Sequence, residues 1–429
     1  MGGSVLAVTA TGSGSNPGDT AWVLVSAGLV LFMTPGLALF YGGMVRAKNV
    51  LGIIMQNFFC MGIVSVLWVL IGFTLAFGPD AGHGLIGGLD MVGLRHIANG
   101  VPGFHLTIPP LAFMVFQMMF AIITPALITG ATADRLRFTG FVVFVSVWLL
   151  LVYAPIAHWS FSPGGWLYHR GVLDFAGGTV VEINSGFSSL AAAMVVGRRR
   201  GWPEELMSPH SLPFTLLGAG ILWFGWFGFN AGSALGASGV ATQALVNTQL
   251  AAAAGLLGWI FLEAVRADGK PTTLGAASGA VAGMVAITPC AGFVGTLPSI
   301  AIGFAAGIVC LLAVRLKFRF RYDDSLDVVA VHGIGGIVGM VLLGVFAAHA
   351  INPAGSNGLA SHGGLHLLGQ QLLATVVSMA YAFGATYLIA RVVHSVIGLR
   401  VSPDDEAEGL DTSQHAESAY AAAGLGRIQ

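Results

Sequence analysis

The chain has 429 residues, of which 55% are hydrophobic and only 9% are charged, with a formal net charge of −1. An ordinary soluble protein carries about 25% charged residues, so a chain this apolar cannot cover its surface in water. The near-neutral balance also gives no basic footprint of the kind that binds nucleic acid. The composition predicts an all-α polytopic membrane protein whose surroundings are the lipid bilayer.

Apolar runs of about 20 residues recur along the chain, each long enough to cross roughly 30 Å of hydrocarbon. We predict eleven transmembrane helices, in chain order at 21–42, 50–78, 109–131, 138–158, 176–197, 212–232, 240–265, 273–290, 297–315, 328–349 and 366–394.

Basic residues check this count independently, because Lys and Arg concentrate in short cytoplasmic loops. They follow the odd-numbered spans, in segments 46–48, 135–137, 198–200, 266–270, 315–321 and 391–427. Only Arg95 and Arg170 follow even-numbered spans. The alternation predicts a multi-pass protein of the cytoplasmic (inner) membrane, with its N-terminus outside and its C-terminus in the cytoplasm.

Two polar residues lie inside apolar spans, each eight positions after an aspartate. Glu182 follows Asp174, and His332 follows Asp324. An ionisable side chain near the bilayer centre costs about 2.5–3.5 kcal/mol on the lenient insertion scale, so by default it faces a pathway and not lipid. The two pairs therefore indicate a conduit lined by titratable groups.

The matching pairs also predict an inverted repeat, a common device of transporters with sites near the midplane. Spans 1–5 and 6–10 form the two units, and an odd number of spans per unit reverses their orientation. The predicted organisation is an extracytoplasmic tail at 1–20, a first repeat at 21–197, a second repeat at 198–349, a loop with span 11 at 350–400, and a cytoplasmic regulatory tail at 401–429. Span 11 is expected to pack across both halves.

Four motifs in this order resemble the ammonium transporter family (Amt/Mep/Rh) of the prokaryotic Amt type, along nearly the whole chain. They are PGLALFYGG at 35–43, DFAGGTVV at 174–181, GWFGFNAGS at 225–233 and VHGIGG at 331–336. The resemblance implies an eleven-helix subunit, a homotrimer with one pore per subunit, and net uptake of ammonium. We expect no cofactor and no bound metal.

The resemblance also implies roles for individual residues. Phe120 and Phe229 match two stacked rings that gate the pore below an outer vestibule. Trp226 and Ser233 match vestibule residues, where the serine accepts a hydrogen bond from the cation. Asp174 matches a buried aspartate needed for transport, and His332 matches the second of twin pore histidines.

The chain departs from the family pattern at two places. Glu182 replaces the first twin histidine, as in certain fungal members, and the usual vestibule tryptophan after Ile156-Ala-His158 is absent. Trp159 or Phe161 is expected to supply that aromatic face instead. The first departure leaves open any proton wire that depends on a pair of histidines.

Structural alternatives stand beside these roles. Glu182 is alternatively a protonated carboxyl in a helix interface, and Asp174 an ordinary helix cap. Phe120 is alternatively a packing residue, His332 a satisfied core histidine, and His158 is expected to be structural.

The acidic tail would ordinarily indicate a solvated, flexible end. However, Glu408-Gly409-Leu410-Asp411, followed by His415 and Tyr420, is similar to the family's C-terminal regulatory motif. The resemblance implies that this tail contacts a neighbouring subunit and, in many prokaryotes, a PII-type signal protein.

Two other functions compete with transport as interpretations of this sequence. An enzyme is not expected, because the chain has neither the His-Glu-x-x-His zinc motif nor the Gly-x-Ser-x-Gly elbow. The alternative is a sensor that binds ammonium without moving it, since its vestibule and tail would look the same. Whether transport is electrogenic or a passive flow of ammonia stays open.

Overall fold

The computed structural model describes residues 14–266 and 269–420, and this part of the chain is helical without any named strand. Ten of its helices are long and apolar enough to cross a membrane, and one more is apolar but shorter. We label them α1 to α11: Pro17–Met44, Ala47–Phe77, Pro110–Ile128, Phe138–His169, Gly178–Val196, Leu212–Gly232, Gly239–Ala264, Thr273–Ile287, Thr296–Phe320, Val329–Phe346 and His366–Val396. These helices confirm the predicted all-α membrane fold. The shorter helix, Thr273–Ile287, coincides with predicted span eight.

Several helix starts follow from ordinary capping chemistry. Asn16 precedes α1 and accepts hydrogen bonds from the Gly18 and Asp19 amides. Ser211, Ser238 and Thr272 cap α6, α7 and α8 in the same way, each through its hydroxyl. Such side chains satisfy backbone donors that a helix start leaves without intrahelical partners.

Four spans contain a π-helical turn, which the periodicity of the sequence did not predict. The turns are Trp68–Gly72 in α2, Leu149–Tyr153 in α4, Gly178–Ile183 at the start of α5, and Val329–Ile334 at the start of α10. The last two occupy matching places in the two proposed repeats and contain Glu182 and His332. Single π-helical turns of this kind occur frequently at functional sites.

Corresponding helices of the two proposed units contact each other. The first helices of the two units, α1 and α6, pack side by side, and the fifth helices, α5 and α10, also contact each other. A Cβ at Gly218 or Gly225 of α6 would overlap α1, so glycine permits this close approach. Helix α11 packs against α4 and α5 from the first unit and against α10 from the second.

An ionic layer lies at the end of the molecule that carries the arginine-rich loops, which we call the inner end. Arg199 forms two side-chain hydrogen bonds to Asp323, at 2.8 and 2.9 Å. Arg135, fully buried, donates to the carbonyls of Gly197 and Asp323. Burial lowers the pKa of Arg135 to about 10, while the charge of Asp323 opposes this. The layer therefore ties the ends of α3, α5 and α9 together.

The tail folds back onto the inner end of the same chain as two short helices, Pro403–Glu408 (α12) and Leu410–His415 (α13). Glu406 binds Arg400 at 2.7 Å and accepts from the Arg200 amide at 2.7 Å. This part of the predicted regulatory tail is thus ordered. Residues 1–13 and 421–429 of the two predicted tails lie outside the described residues.

Candidate functional site

Helices α5 and α10 approach most closely at glycines, and this contact creates the candidate site. A Cβ at Gly186 would overlap the backbone of Gly333, and a Cβ at Gly336 would come within 3.0 Å of the Glu182 Cβ. Small residues allow such close packing in lipid, where no hydrophobic force drives helices together. The glycines noted beside His332 in the sequence therefore bring the two polar side chains together.

Glu182 and His332 meet in this contact. His332 Nδ1 lies 2.7 Å from Glu182 Oε2, a hydrogen-bond distance, and the two side chains are only 5% and 1% exposed. The second carboxyl oxygen, Oε1, has no hydrogen-bond partner among the described residues. The pair therefore retains one acceptor available to a further group.

A narrow apolar cavity of about 10 Å3 lies beside the pair, with room for about one water-sized molecule. Glu182 and His332 line it, and its other walls are almost entirely apolar. Those walls are formed by Met33, Leu37, Phe40, Ile123, Leu127, Val181, Leu222, Trp226, Phe229 and Val281. The contribution of α1 was not predicted, although its motif at 35–43 was a signal of it.

Phe229, which lines this cavity, packs against the ring of Phe120. Their ring centroids are 4.3 Å apart with planes tilted by 34°, and both residues are about 1% exposed. The structure thus brings together the two rings that the sequence pairs as a gate.

Trp226 lines the cavity with Glu182 and His332, and its indole N–H donates to Thr288 Oγ1 at 3.0 Å. Because it precedes Phe229 by one helical turn, it lies on the inner side of that ring. Trp226 thus lies beside the Glu182–His332 pair, and its predicted place in the vestibule stays a prediction.

The Asp174 carboxylate caps the start of α5. Oδ1 accepts from the amides of Gly177 and Gly178 at 2.9 and 2.6 Å, and Oδ2 accepts from the Thr179 amide and hydroxyl at 2.8 and 2.5 Å. Gly177 has φ +117°, a left-handed conformation that favours glycine. Asp174 therefore acts as a helix cap, and a further role in transport is compatible with these hydrogen bonds.

One residue that holds this segment in place was not predicted. Gln371 of α11 is fully buried; its Oε1 accepts from the Leu173 amide at 3.0 Å and its Nε2 donates to the Leu173 carbonyl at 2.6 Å. The sequence signal was the pair Gln370-Gln371 in an otherwise apolar span. The last helix thus positions the loop that carries Asp174.

The two aromatic candidates for the vestibule lie in different places. Trp159 is buried, donates from its indole N–H to the Leu85 carbonyl at 2.7 Å, and packs on Tyr381 at 4.7 Å between centroids. Phe161 is half-buried and lies 3.6 Å from where a Cβ of Gly177 would be. Phe161 is therefore the candidate nearer the Asp174 loop.

Ser233 ends α6 one turn beyond Phe229. Its hydroxyl donates to the Phe229 carbonyl at 2.8 Å, and the residue is half-buried. A hydroxyl that donates one bond still has lone pairs with which to accept another. Ser233 is thus able to accept from a cation beside the ring of Phe229.

The tail residues singled out in the sequence contact the same chain. The Leu410 amide donates to Asn49 Oδ1 at 2.8 Å, and Asp411 Oδ1 accepts from the Gly52 amide at 2.8 Å. Gly409 has φ +116°, and a Cβ there would lie 2.6 Å from the Lys48 carbonyl oxygen. Glu408 is exposed.

Two further tail residues make aromatic contacts. His415 packs edge-on against Phe138, with centroids 5.2 Å apart. Tyr420 bonds His210 Nε2 through its hydroxyl at 2.7 Å. The expected contact of the tail with a neighbouring subunit stays a prediction.

Comparison with known proteins identifies relatives along nearly the whole chain. A model described as the Ammonium Transporter Family matches residues 21–420. A protein of Mycobacterium bovis named "Ammonium transporter" is 49% identical over 94% of this chain and 90% of its own length. A Bacillus subtilis protein of the same name is 48% identical over 94% of this chain and 98% of its own length. The crystal structure of Candida albicans Mep2 superposes with a TM-score of 0.87 at 35% identity, covering 94% of this chain and 90% of that one.

Proposed function

Because the chain belongs to the ammonium transporter family, we propose that it takes up ammonium through a pore lined by Glu182 and His332. The observation that carries this proposal is the 2.7 Å contact between these two side chains beside an apolar cavity lined by Phe229, whose ring packs against Phe120. An apolar cavity with one polar pair fits a substrate that arrives as a cation and passes through the cavity as a neutral molecule.

The outer steps follow from the chemistry of ammonium. Aromatic faces attract a cation by about 0.5–2 kcal/mol, depending on desolvation, and Phe161, Phe229 and the Ser233 hydroxyl lie at the outer end of the pore. Asp174 shapes this entrance by fixing the start of α5. The narrow apolar cavity then excludes the water that a cation such as potassium would need.

Deprotonation separates ammonium from potassium. We assign the proton to the pair formed by Glu182 and His332, which can hold it on the carboxyl oxygen or on the ring nitrogen. Ammonium gives up one proton to the pair and becomes ammonia, and the charge of the pair rises by one. Potassium has no proton to give, so it cannot pass by this route.

Glu182 performs the proton-sharing role in this proposal that the first twin histidine has in the family pattern. A carboxyl group can donate one hydrogen bond and accept another, as an imidazole does. The alternative is that Glu182 is a structural carboxyl that only anchors His332.

The names of the curated relatives favour transport over the sensor alternative. The test is solid-supported-membrane electrophysiology on proteoliposomes, with ammonium pulses and equal potassium pulses as the control. A transporter gives a current or a pH change with ammonium and none with potassium. Binding of ammonium without either signal would identify a sensor.

We further propose a homotrimer in which the docked tail contacts the next subunit and is available to a PII-type protein at the cytoplasmic face. The ordered segment 402–420, fixed by Leu410 and Asp411, supports a structural role for the tail. Labelling tests its location: Ser418 is exposed, whereas Cys60, Cys290 and Cys310 are buried. An impermeant maleimide should modify Ser418→Cys only after the cells are opened. Labelling of intact cells would contradict the orientation.

A further inference from the structure

The inner end of the pore carries an ion pair between Lys317 and Asp327. Lys317 Nζ lies 2.6 Å from Asp327 Oδ1, and it also donates to the Asp324 carbonyl at 3.2 Å. Asp327 precedes α10 and has φ +62°, a left-handed conformation that few residues other than glycine adopt. Backbone conformations of this kind are concentrated at functional sites.

Asp327 belongs to the pathway and not only to the ionic layer. It lines a cavity of about 10 Å3 together with His332, Ser278 and Tyr41. A cation that forms beyond His332 therefore meets the Asp327 carboxylate next. A free carboxylate at this place would hold the cation and slow its release.

We infer that Lys317 acts as a tethered competitor of the transported ion, by covering the Asp327 carboxylate with its own ammonium group. This inference rests on the proposed function. The lysine side chain ends in an alkylammonium, which carries the same charge as free ammonium and three N–H donors where free ammonium has four. A short covalent tether gives it an effective concentration in the millimolar range, so dilute ammonium does not accumulate at Asp327.

The exposure of the pair fits an exchangeable contact. The Asp327 oxygen that Lys317 contacts, Oδ1, is buried and the contact lacks hydrogen-bond geometry. The Asp327 side chain as a whole is nevertheless 25% exposed and the Lys317 side chain 11% exposed, in contrast to the 0% of Asp323 in the ionic layer. A cation arriving from the pore can thus approach Asp327 while Lys317 remains near. Lys317 sets how strongly the inner mouth retains the ion.

Proteoliposomes loaded with increasing internal ammonium test the inference. The initial rate at which isotopically labelled ammonium enters is measured. The internal concentration of unlabelled ammonium that halves this rate is then compared between variants. For Lys317→Met this concentration should fall about tenfold, because the millimolar tethered competitor is gone. Lys317→Arg should resemble the wild type, and the double variant Lys317→Met/Asp327→Asn should return to it. Arg319→Met, an exposed cation on the same helix, is the matched control.

A binding measurement separates this inference from the proposed function. In detergent, ammonium chloride should raise the thermal unfolding midpoint of Lys317→Met above its value in choline chloride, and should not do so in the double variant. The inference is overturned if the wild type transports but Lys317→Met shows the wild-type inhibition, or if the double variant behaves like the single one. Absence of transport in the wild type would overturn the proposed function instead, while the midpoints still report on Asp327. Lys317→Gln, which keeps a donor for the Asp324 carbonyl, replaces the methionine variant if that variant does not fold.

Discussion

The two halves of the molecule place a carboxylate and a titratable partner at matching positions but support them by different means. Asp174 belongs to the proposed first repeat, whose site we call the outer half because it lies away from the inner end. It accepts four hydrogen bonds from its own loop, and Gln371 holds the neighbouring backbone. Asp324 belongs to the proposed second repeat, whose site at the inner end we call the inner half. Its carboxylate accepts one hydrogen bond, from the Val329 amide at 2.7 Å. Burial, together with the charge of Asp327, raises the pKa of Asp324 to about 6.

The inner half instead depends on its neighbours in the ionic layer. Arg135 donates to the Asp323 carbonyl at 2.6 Å, and Arg199 binds the Asp323 carboxylate. The outer site is thus built from neutral donors next to the proposed cation entrance, while the inner site is held by charged partners. This difference suggests that the entrance must keep its carboxylate fixed without adding a competing positive charge.

We expect the largest effect on stability when the ion pair of Arg199 with Asp323 is removed, compared with removal of the hydrogen bonds between Gln371 and Leu173. Arg199→Met leaves the fully buried Asp323 carboxylate without its main partner and should lower the free energy of unfolding by about 3–5 kcal/mol. Gln371→Met leaves only the neutral amide and carbonyl of Leu173 unpaired and should cost about 1–3 kcal/mol. Denaturation of both variants in the same detergent provides the measurement. Equal losses would contradict the difference between the two halves.

The ionic layer also predicts a dependence on pH. Burial alone would raise the pKa of Asp323, but its hydrogen bonds to Arg199 and the charge of Arg135 hold it below the ordinary value of 3.8. Because the pKa is lowered in the folded state, this contribution is present above pH 3.8 and is lost as the pH falls through the folded value. Arg199→Met should remove that acid-sensitive part of the stability.

The next prediction compares the two carboxylates that cap the starts of α5 and α10. Asp174→Ala removes the acceptor of four bonds at the start of α5, and we expect a loss of about 2–3 kcal/mol together with most of the transport. Asp324→Ala removes one such bond and should cost about 1 kcal/mol. Unfolding and ammonium current are measured for both. A larger loss of stability for Asp324→Ala would reverse the assignment of the better capped half.

The contact between the halves can be measured by a double-mutant cycle. Glu182→Leu leaves His332 Nδ1 without its partner, and His332→Leu leaves the Glu182 carboxyl equally unpaired. Each single variant should cost about 1–3 kcal/mol, and the double variant less than their sum, since a buried polar group left unpaired is the main cost. All three should transport less ammonium or discriminate less against potassium. Strict additivity in stability would show that the two groups are not coupled.

The spans and the meeting of the two halves were predictable, because hydrophobic length and the repeated Asp-to-polar spacing are local signals. The π-helical turns at Gly178–Ile183 and Val329–Ile334 were not, since they change the hydrogen-bond register without changing the apolar pattern. The contact of Trp226 with the cavity beside Glu182 and His332 was not predictable either, because a motif gives the neighbours of a residue but not its depth in the helix bundle. Gln371 lies 198 residues from its partner Leu173, so no pattern within one helix could reveal the contact.

A substitution at position 182 sharpens the comparison of the two titratable partners. A carboxyl and an imidazole have ordinary pKa values of about 4.3 and 6.5, so Glu182→His should keep transport but shift its pH optimum by about one unit or more. Initial current is recorded against pH for both proteins in the same liposomes. Identical profiles would make Glu182 a spectator and favour the structural carboxyl.

The smallest expected effect concerns the tail, which adds to the support of the inner half through Asp411. Burial raises the pKa of Asp411, although the amides of Gly52 and Leu51 oppose this. A raised folded pKa means that its contribution to docking is complete below the ordinary value of 3.8 and declines as the pH rises through the folded value.

Asp411→Asn keeps an oxygen acceptor for Gly52 without the charge, so its docking should be independent of pH and at least as strong as the wild type at pH 7. Asp411→Ala removes the acceptor and should weaken docking by about 1 kcal/mol. Hydrogen exchange of the Gly52 amide, corrected for the intrinsic effect of pH, measures all three. Lower protection in Asp411→Asn than in the wild type at pH 7 would show that the charge itself holds the tail.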